Sequence, residues 1–232
     1  MIAVTRTNTP QSLVDNAATW TADYLAARTA LEAEPKSLSL KKIKESAEGK
    51  YRQDDVKKAL NEDMFHGKCC FCERKRDWLH IEHFRPKDSY PALCFDWFNL
   101  LYACEICNGA AFKGIKFPLA ADGTPLFINP CTDNPNEHLD FVREQDAAAE
   151  HGFIAVLKGK TDKGNTTRDV LGLNRINLLK ERSQYIAPYY LVLAIMARDG
   201  HPAAKDLLDK ACQSHNIYAA FMRTLRDTIV GV

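Results

Sequence analysis

The sequence predicts an α+β chain that is mostly α-helical, with a small cysteine-braced core between two helical ends. Three observations predict it. Apolar residues recur at three- and four-residue spacing near both ends of the chain. The stretch 66–118 mixes Cys, His, aromatic and basic residues with no sustained helical period. Two Cys-x-x-Cys pairs, Cys69 with Cys72 and Cys104 with Cys107, sit inside it with 31 residues between them.

Residues 1–65 form an N-terminal helical segment. Leu13, Ala17, Trp20, Tyr24 and Leu25 place an apolar stripe on one helical face, and Pro35 ends the run. Lys36, Lys41, Lys42 and Lys44 follow and read as a solvated face rather than a nucleic-acid patch. Val56, Leu60 and Met64 carry a second helical pattern. In the core, 66–118, a short strand is predicted at 78–83 and a second at 100–104. A loop with Pro86 and Pro91 lies between them, and a short helix follows over 105–112.

Residues 119–173 are rich in Gly, Pro, Asn and Asp, and predict a loop-rich connection with one short strand at 153–157. Residues 174–232 are helical again. Asn174 is the expected cap of a helix through Ile176, Leu178 and Leu179. A second helix stops at Gly200, Pro202 starts the next, and Ile217, Phe221, Leu225 and Thr228 line the last.

Composition narrows the function classes. A chain that is 46% hydrophobic and 26% charged has ordinary globular values, which excludes wholesale disorder. The longest uncharged apolar stretch, 185–197, is shorter than the ~20 residues of a membrane span. The first ten residues lack a long apolar signal core, so a cytoplasmic location is expected. A net charge of +1 excludes an electrostatically extreme protein and still allows a local basic groove.

Six of the eight cysteines lie between residues 69 and 107. Clustered Cys-x-x-Cys pairs in a reducing compartment point to metal, because four thiolates suit the tetrahedral preference of Zn²⁺. Cys69, Cys72, Cys104 and Cys107 are therefore the expected structural zinc ligands. Cys70, Cys94, Cys131 and Cys212 read as packing residues. The gap between the knuckles exceeds that of a simple zinc ribbon, so something is built there. It holds Glu82-His83 and Asn99, and the second knuckle runs straight into Asn108.

These residues resemble the HNH endonuclease family, with its ββα-metal fold. The resemblance is carried by Ile81-Glu82-His83-Phe84-Arg85-Pro86, Asn99-Leu100 and Cys104-x-x-Cys107-Asn108. Within that family the sequence is most similar to the nucleases encoded beside ATPases in bacterial anti-phage systems, the Septu PtuB type. His83 to Lys87, Asp96-Trp97-x-Asn99-Leu100, Lys116 to Leu119, Ile128-Asn129-Pro130, Glu137-His138 and Leu173-Asn174-Arg175 also find counterparts there. The likeness covers roughly residues 50–182.

The resemblance implies phosphodiester hydrolysis with one divalent cation, and the residue chemistry fits it. His83 is the candidate general base, since a neutral imidazole takes a proton from water near pH 7, and acid should silence it. Glu82 and Asn108 are hard oxygen donors suited to Mg²⁺ or Mn²⁺. Asn99 is expected to fix the loop and orient the imidazole. Arg85, Lys87 and Lys113 are expected phosphate contacts. Lys113 is a departure, because the family's lysine often stands three residues beyond the Asn108 position, where this chain has Ala111. Arg74, Lys75 and Arg76 read equally as a nucleic-acid contact or a solvated turn. Trp78, Trp97 and Phe98 are expected in the core rather than stacked on bases.

The expected substrate is DNA, with RNA as the alternative. The resemblance further implies phage defence and a partner ATPase; the C-terminal helices, too apolar to be simple spacers, are the expected docking surface, and self-association is compatible. No membrane partner is expected. The reading from another class is a zinc-knuckle nucleic-acid-binding or assembly module without catalysis. Such a module would need none of Glu82, His83, Asn99 and Asn108.

Overall fold

The structure is a computed structural model that describes residues 1–231. It divides into two compact units that are each discontinuous in sequence.

One unit comprises residues 5–67 and 77–117. It opens with α1 (Gln11–Ala33) and α2 (Leu38–Glu48), followed by α3 (Asp54–Lys58) and a π-turn at 59–64. The α1 stripe is asymmetric: Leu13 and Tyr24 are buried, while Ala17, Trp20 and Leu25 are half-buried. Ser37 caps α2, its hydroxyl accepting from the Leu40 amide.

The antiparallel hairpin β1 (Leu79–His83) and β2 (Leu100–Cys104) pairs Leu79 with Cys104 and His83 with Leu100. It leads directly into α4 (Glu105–Asn108). That helix is a single turn and stops before Gly109, shorter than the expected 105–112. Between the strands, Phe95 packs edge-on against Trp20 and Tyr24 of α1. Cys94 and Phe95 are almost wholly buried, so the connecting loop is anchored on the N-terminal helices. Trp97 joins this core and donates from Nε1 to the Thr7 carbonyl at 3.2 Å. Trp78 and Phe98 do not: they are 78% and 63% exposed, each standing just outside a strand end.

The other unit comprises residues 1–4, 68–76 and 118–232. The stretch read as connecting loop holds a regular hairpin, β3 (Leu139–Gln145) with β4 (Phe153–Gly159), after the one-turn helix α5 (Pro135–His138). It also holds α6 (Asp162–Val170), a helix of poor formers. Three contacts hold α6 in place. Thr161 caps it through the Gly164 amide. The buried Thr167 hydroxyl accepts from the Ile128 amide at 2.9 Å. Gly164 packs so closely that a Cβ would stand 1.8 Å from the His138 carbonyl oxygen.

The remaining helices are α7 (Ile176–Ile186), α8 (Tyr189–Arg198), α9 (Pro202–Ala211) and α10 (Ala219–Val230). Asn174 does not cap α7; its amide pairs with both backbone groups of Leu157 on β4, and Arg175 takes the cap position. Phe221 of α10 meets Phe141 of β3 edge-on at 5.1 Å, and buried Arg182 lies over the Phe221 ring. The first knuckle turn is closed by Cys69 N–H to the Arg74 carbonyl and Glu73 N–H to the Cys69 carbonyl. Arg74 is nearly buried and ion-paired with Glu181, which settles its reading as structural. Among the described residues, no helix is long and apolar enough to cross a membrane.

Candidate active site and metal centre

The sulfur atoms of Cys69, Cys72, Cys104 and Cys107 all lie within 4.8 Å of one another, and all four residues are buried. A tetrahedron with Zn–S bonds of ~2.3 Å has sulfurs about 3.8 Å apart. The cluster therefore fits a structural zinc in both donor type and size. Cys70, Cys94 and Cys212 are buried, as packing residues should be, and Cys131 is half-buried.

At the end of β1, His83 is 6% exposed. Its Nε2 lies 2.9 Å from the Cys94 carbonyl oxygen, and the Tyr51 ring packs at right angles to the imidazole at 4.7 Å. Burial, only partly offset by the Cys94 hydrogen bond, pushes the His83 pKa down to about 4. The ring is therefore neutral at pH 7. The acid silencing expected near an ordinary histidine pKa is displaced toward pH 4.

Glu82 is also buried, at 5% exposure. Burial raises its pKa, against the pull of the neighbouring Lys113 ammonium. Its Oε1 makes an ion pair with Lys113. Lys113 is 0% exposed and donates from Nζ to the His83 carbonyl at 2.9 Å. The sequence reading put Lys113 on a phosphate; the structure commits its ammonium to the two residues of the β1 corner. The reason is local. With α4 ended at Gly109, position 113 is reached by a returning loop rather than along a helix face.

Asn99 is 4% exposed and holds the loop by three hydrogen bonds. Its Oδ1 accepts from the Arg85 amide at 2.8 Å, and Nδ2 donates to the Arg85 and Leu93 carbonyls, each at 3.0 Å. It fixes the loop as expected. It does so through backbone groups, and the group that hydrogen-bonds the imidazole is the Cys94 carbonyl.

Glu82, His83, Lys87 and Asn108 line one cleft of about 420 Å³. Asn99, Arg85 and Lys113 do not. Arg85 instead stacks its guanidinium over Tyr90 and Phe117, at 5.2 and 5.0 Å. Lys87 pairs with Glu48 at 3.4 Å on the cleft wall. Among the lining residues that sequence reasoning missed are Tyr51, Arg52 and Lys57. They come from the helical segment, where apolar periodicity speaks only of packing. Arg52, Lys57 and Lys87 share the walls with Glu82 and Asp88, and Lys87 and Lys57 are in turn paired with Glu48 and Asp54.

The oxygen donors Glu82 and Asn108 fit a hard divalent cation, with the cleft leaving room for water and phosphate. Among the described residues, the four cysteines are the one cluster of three or more Cys, His, Asp or Glu groups close enough to enclose an ion. Two protein donors lining one cleft leave the rest of a Mg²⁺ shell to water and substrate.

The chain is 33% identical to the Septu protein PtuB of Bacillus thuringiensis over 77% of its length. It is 32% identical to the Septu protein PtuB of Bacillus mycoides over the same share. It spans 57% and 66% of the lengths of these two relatives. A Vibrio cholerae retron Vc95 protein, named for an HNH endonuclease, is 29% identical over 64% of the chain and 70% of its own length. No protein-family model and no solved structure matches.

Proposed function

We propose, for a chain that belongs to the Septu PtuB family, a metal-dependent HNH endonuclease that cuts a phosphodiester backbone in anti-phage defence. The observation that carries this reading is a neutral, buried His83 lining one cleft with Glu82 and Asn108. In it, His83 takes the proton of the attacking water. The Cys94 carbonyl can only accept, so Nε2 bears hydrogen and Nδ1 is the basic atom. Tyr51 restrains the ring from a second side, and Asn99 holds the loop that carries Cys94. Glu82 and Asn108 would hold Mg²⁺ or Mn²⁺, which when bound offsets the charge developing on the phosphoryl group and leaving oxygen. Arg52, Lys57 and Lys87 would steer and seat the backbone.

A zinc held by Cys69, Cys72, Cys104 and Cys107 would fix the second strand and its helix, a hairpin too small to hold this geometry alone. DNA is the proposed substrate. A partner ATPase of the same defence system is the proposed regulator, in the cytoplasm.

The test is incubation of purified protein with plasmid DNA or total RNA, with and without the partner, in Mg²⁺ or Mn²⁺. Metal-dependent nicking or linearisation of plasmid is expected. Cleavage of RNA alone would move the substrate. Binding without cleavage, in every combination, would favour the zinc-knuckle binding module.

A further inference from the structure

Lys113 is a fully buried cation. Buried lysines are rare because stripping an ammonium of water is costly unless partners replace it. Here both partners belong to the catalytic corner. The ammonium pairs with the Glu82 carboxylate and donates to the His83 backbone carbonyl at 2.9 Å. The approach is built into the backbone. The Lys113 amide donates to the Cys107 carbonyl at 3.2 Å, which folds the loop back onto α4. Gly114 follows at φ +45°, and a Cβ there would stand 3.1 Å from the Ala110 Cα. A side chain at 114 would open the turn that delivers Lys113.

We propose that Lys113 is the internal counter-ion and positioning residue of the Glu82–His83 corner. It holds the carboxylate and the end of β1 in place, and a divalent cation arriving at Glu82 must compete with its ammonium. This rests on the endonuclease reading and adds to it how metal binding is set. A second cation beside the carboxylate repels an incoming Mg²⁺ or Mn²⁺ and weakens its hold. The same ammonium keeps the His83 peptide from moving, so its removal loosens the base. One residue then has opposite effects on metal affinity and on rate. A residue that merely supported the fold would lower both.

The experiment compares the parent with Lys113→Met in the full chain, loaded with zinc and checked for zinc content and helicity. Mn²⁺ affinity is read by the electron paramagnetic resonance of free Mn²⁺, and single-turnover cleavage is read at saturating Mn²⁺. We expect Mn²⁺ to bind at least about tenfold tighter, since removing a repulsion of ~1.4 kcal/mol gives that factor. Cleavage should fall about tenfold or more. In a Glu82→Gln background, where no carboxylate remains to compete for, Lys113→Met should tighten Mn²⁺ binding less than it does in the parent.

A folded Lys113→Met protein that binds Mn²⁺ no tighter than the parent overturns the proposal while leaving the nuclease reading intact. A parent that binds no Mn²⁺ and cuts nothing sinks both. If Lys113→Met does not fold, the parent itself supplies the measurement. Titrating it with Mg²⁺ should shift the Lys113 ammonium resonance in ¹⁵N-lysine spectra. An unmoved resonance at saturating Mg²⁺ refutes the competition.

Discussion

His83 Nε2 lies 2.9 Å from the carbonyl oxygen of Cys94, and this contact sets the protonation pattern of the ring. A carbonyl has no hydrogen to give, so the imidazole donates and its lone pair stands on Nδ1. The carbonyl is itself immobile, because Cys94 and Phe95 are buried against α1. A helix some seventy residues upstream in the chain thus fixes the tautomer of the candidate base.

The first prediction follows from the His83 pKa of about 4, below the unfolded value of 6.5. Between these values the unfolded chain binds the extra proton and the folded chain does not. Stability from this group is therefore complete above about pH 6.5 and lost as pH falls toward 4, by roughly 3 kcal/mol in all. A bound cation nearby would only push the histidine further down. Single-turnover cleavage should show no histidine inflection between about pH 5 and 8. Urea midpoints should fall steadily below about pH 6.5. An activity inflection near 6.5 would contradict the buried, neutral ring.

Asn99 makes a second test. Asn99→Ala leaves the Arg85 amide and the Arg85 and Leu93 carbonyls without their partner. Unsatisfied buried backbone groups cost ~1–3 kcal/mol each, so a loss of about 2–4 kcal/mol is expected, relieved in part by water. Cleavage should slow because the loop carrying Cys94 relaxes, with the metal requirement unchanged. Asn99→Asp should not rescue, since it loses the Nδ2 donor. Chemical denaturation and metal titration of both variants check this.

One zinc per chain is expected by elemental analysis. Cys104→Ser should lose it and lower solubility or unfold the core, because three thiolates leave an incomplete shell. Cys212→Ser, at a buried cysteine outside the cluster, should keep its zinc. A zinc-free, folded and active parent would remove the metal from the account.

Partner docking is tested on the surface rather than by truncation. Cutting the chain after Arg182 would delete α10, whose Phe221 packs on Phe141, and would damage the fold itself. Tyr189, Val192, Ile195 and Met196 of α8 stay between 37% and 54% exposed. Val192→Glu with Met196→Lys should abolish co-purification with the proposed ATPase partner while leaving zinc content unchanged and melting temperature within about 2 °C of the parent. Retention of the complex would move the docking surface to other elements.

Much of the core was legible because its signals are local. Strand β2 appears at the predicted 100–104, β1 within one residue of its start, and the four cysteines gather as their spacing implied. What escaped reading depends on backbone groups and tertiary contacts. Cys94 matters through its carbonyl, which its side chain does not announce. Helix α6 is built from DKGNTTRDV, whose weak propensity is overridden by Thr161, Gly164 and Thr167. The helix expected over 105–112 ends at Asn108, and the loop that brings Lys113 back to Glu82 has no sequence signal of its own. Trp78 and Phe98 were placed inside on hydrophobicity alone, although a strand end gives its neighbours no fixed face.

The central claim is that His83 handles a proton while the thiolates hold the fold. The measurement is metal-dependent cleavage by His83→Ala beside its zinc content, under saturating Mn²⁺ and with the partner present. The account predicts one zinc, an unchanged circular dichroism spectrum and a rate lowered by ~10²–10⁴-fold, the usual cost of a lost general base. A His83→Ala protein that keeps its zinc and cuts as fast as the parent would contradict it.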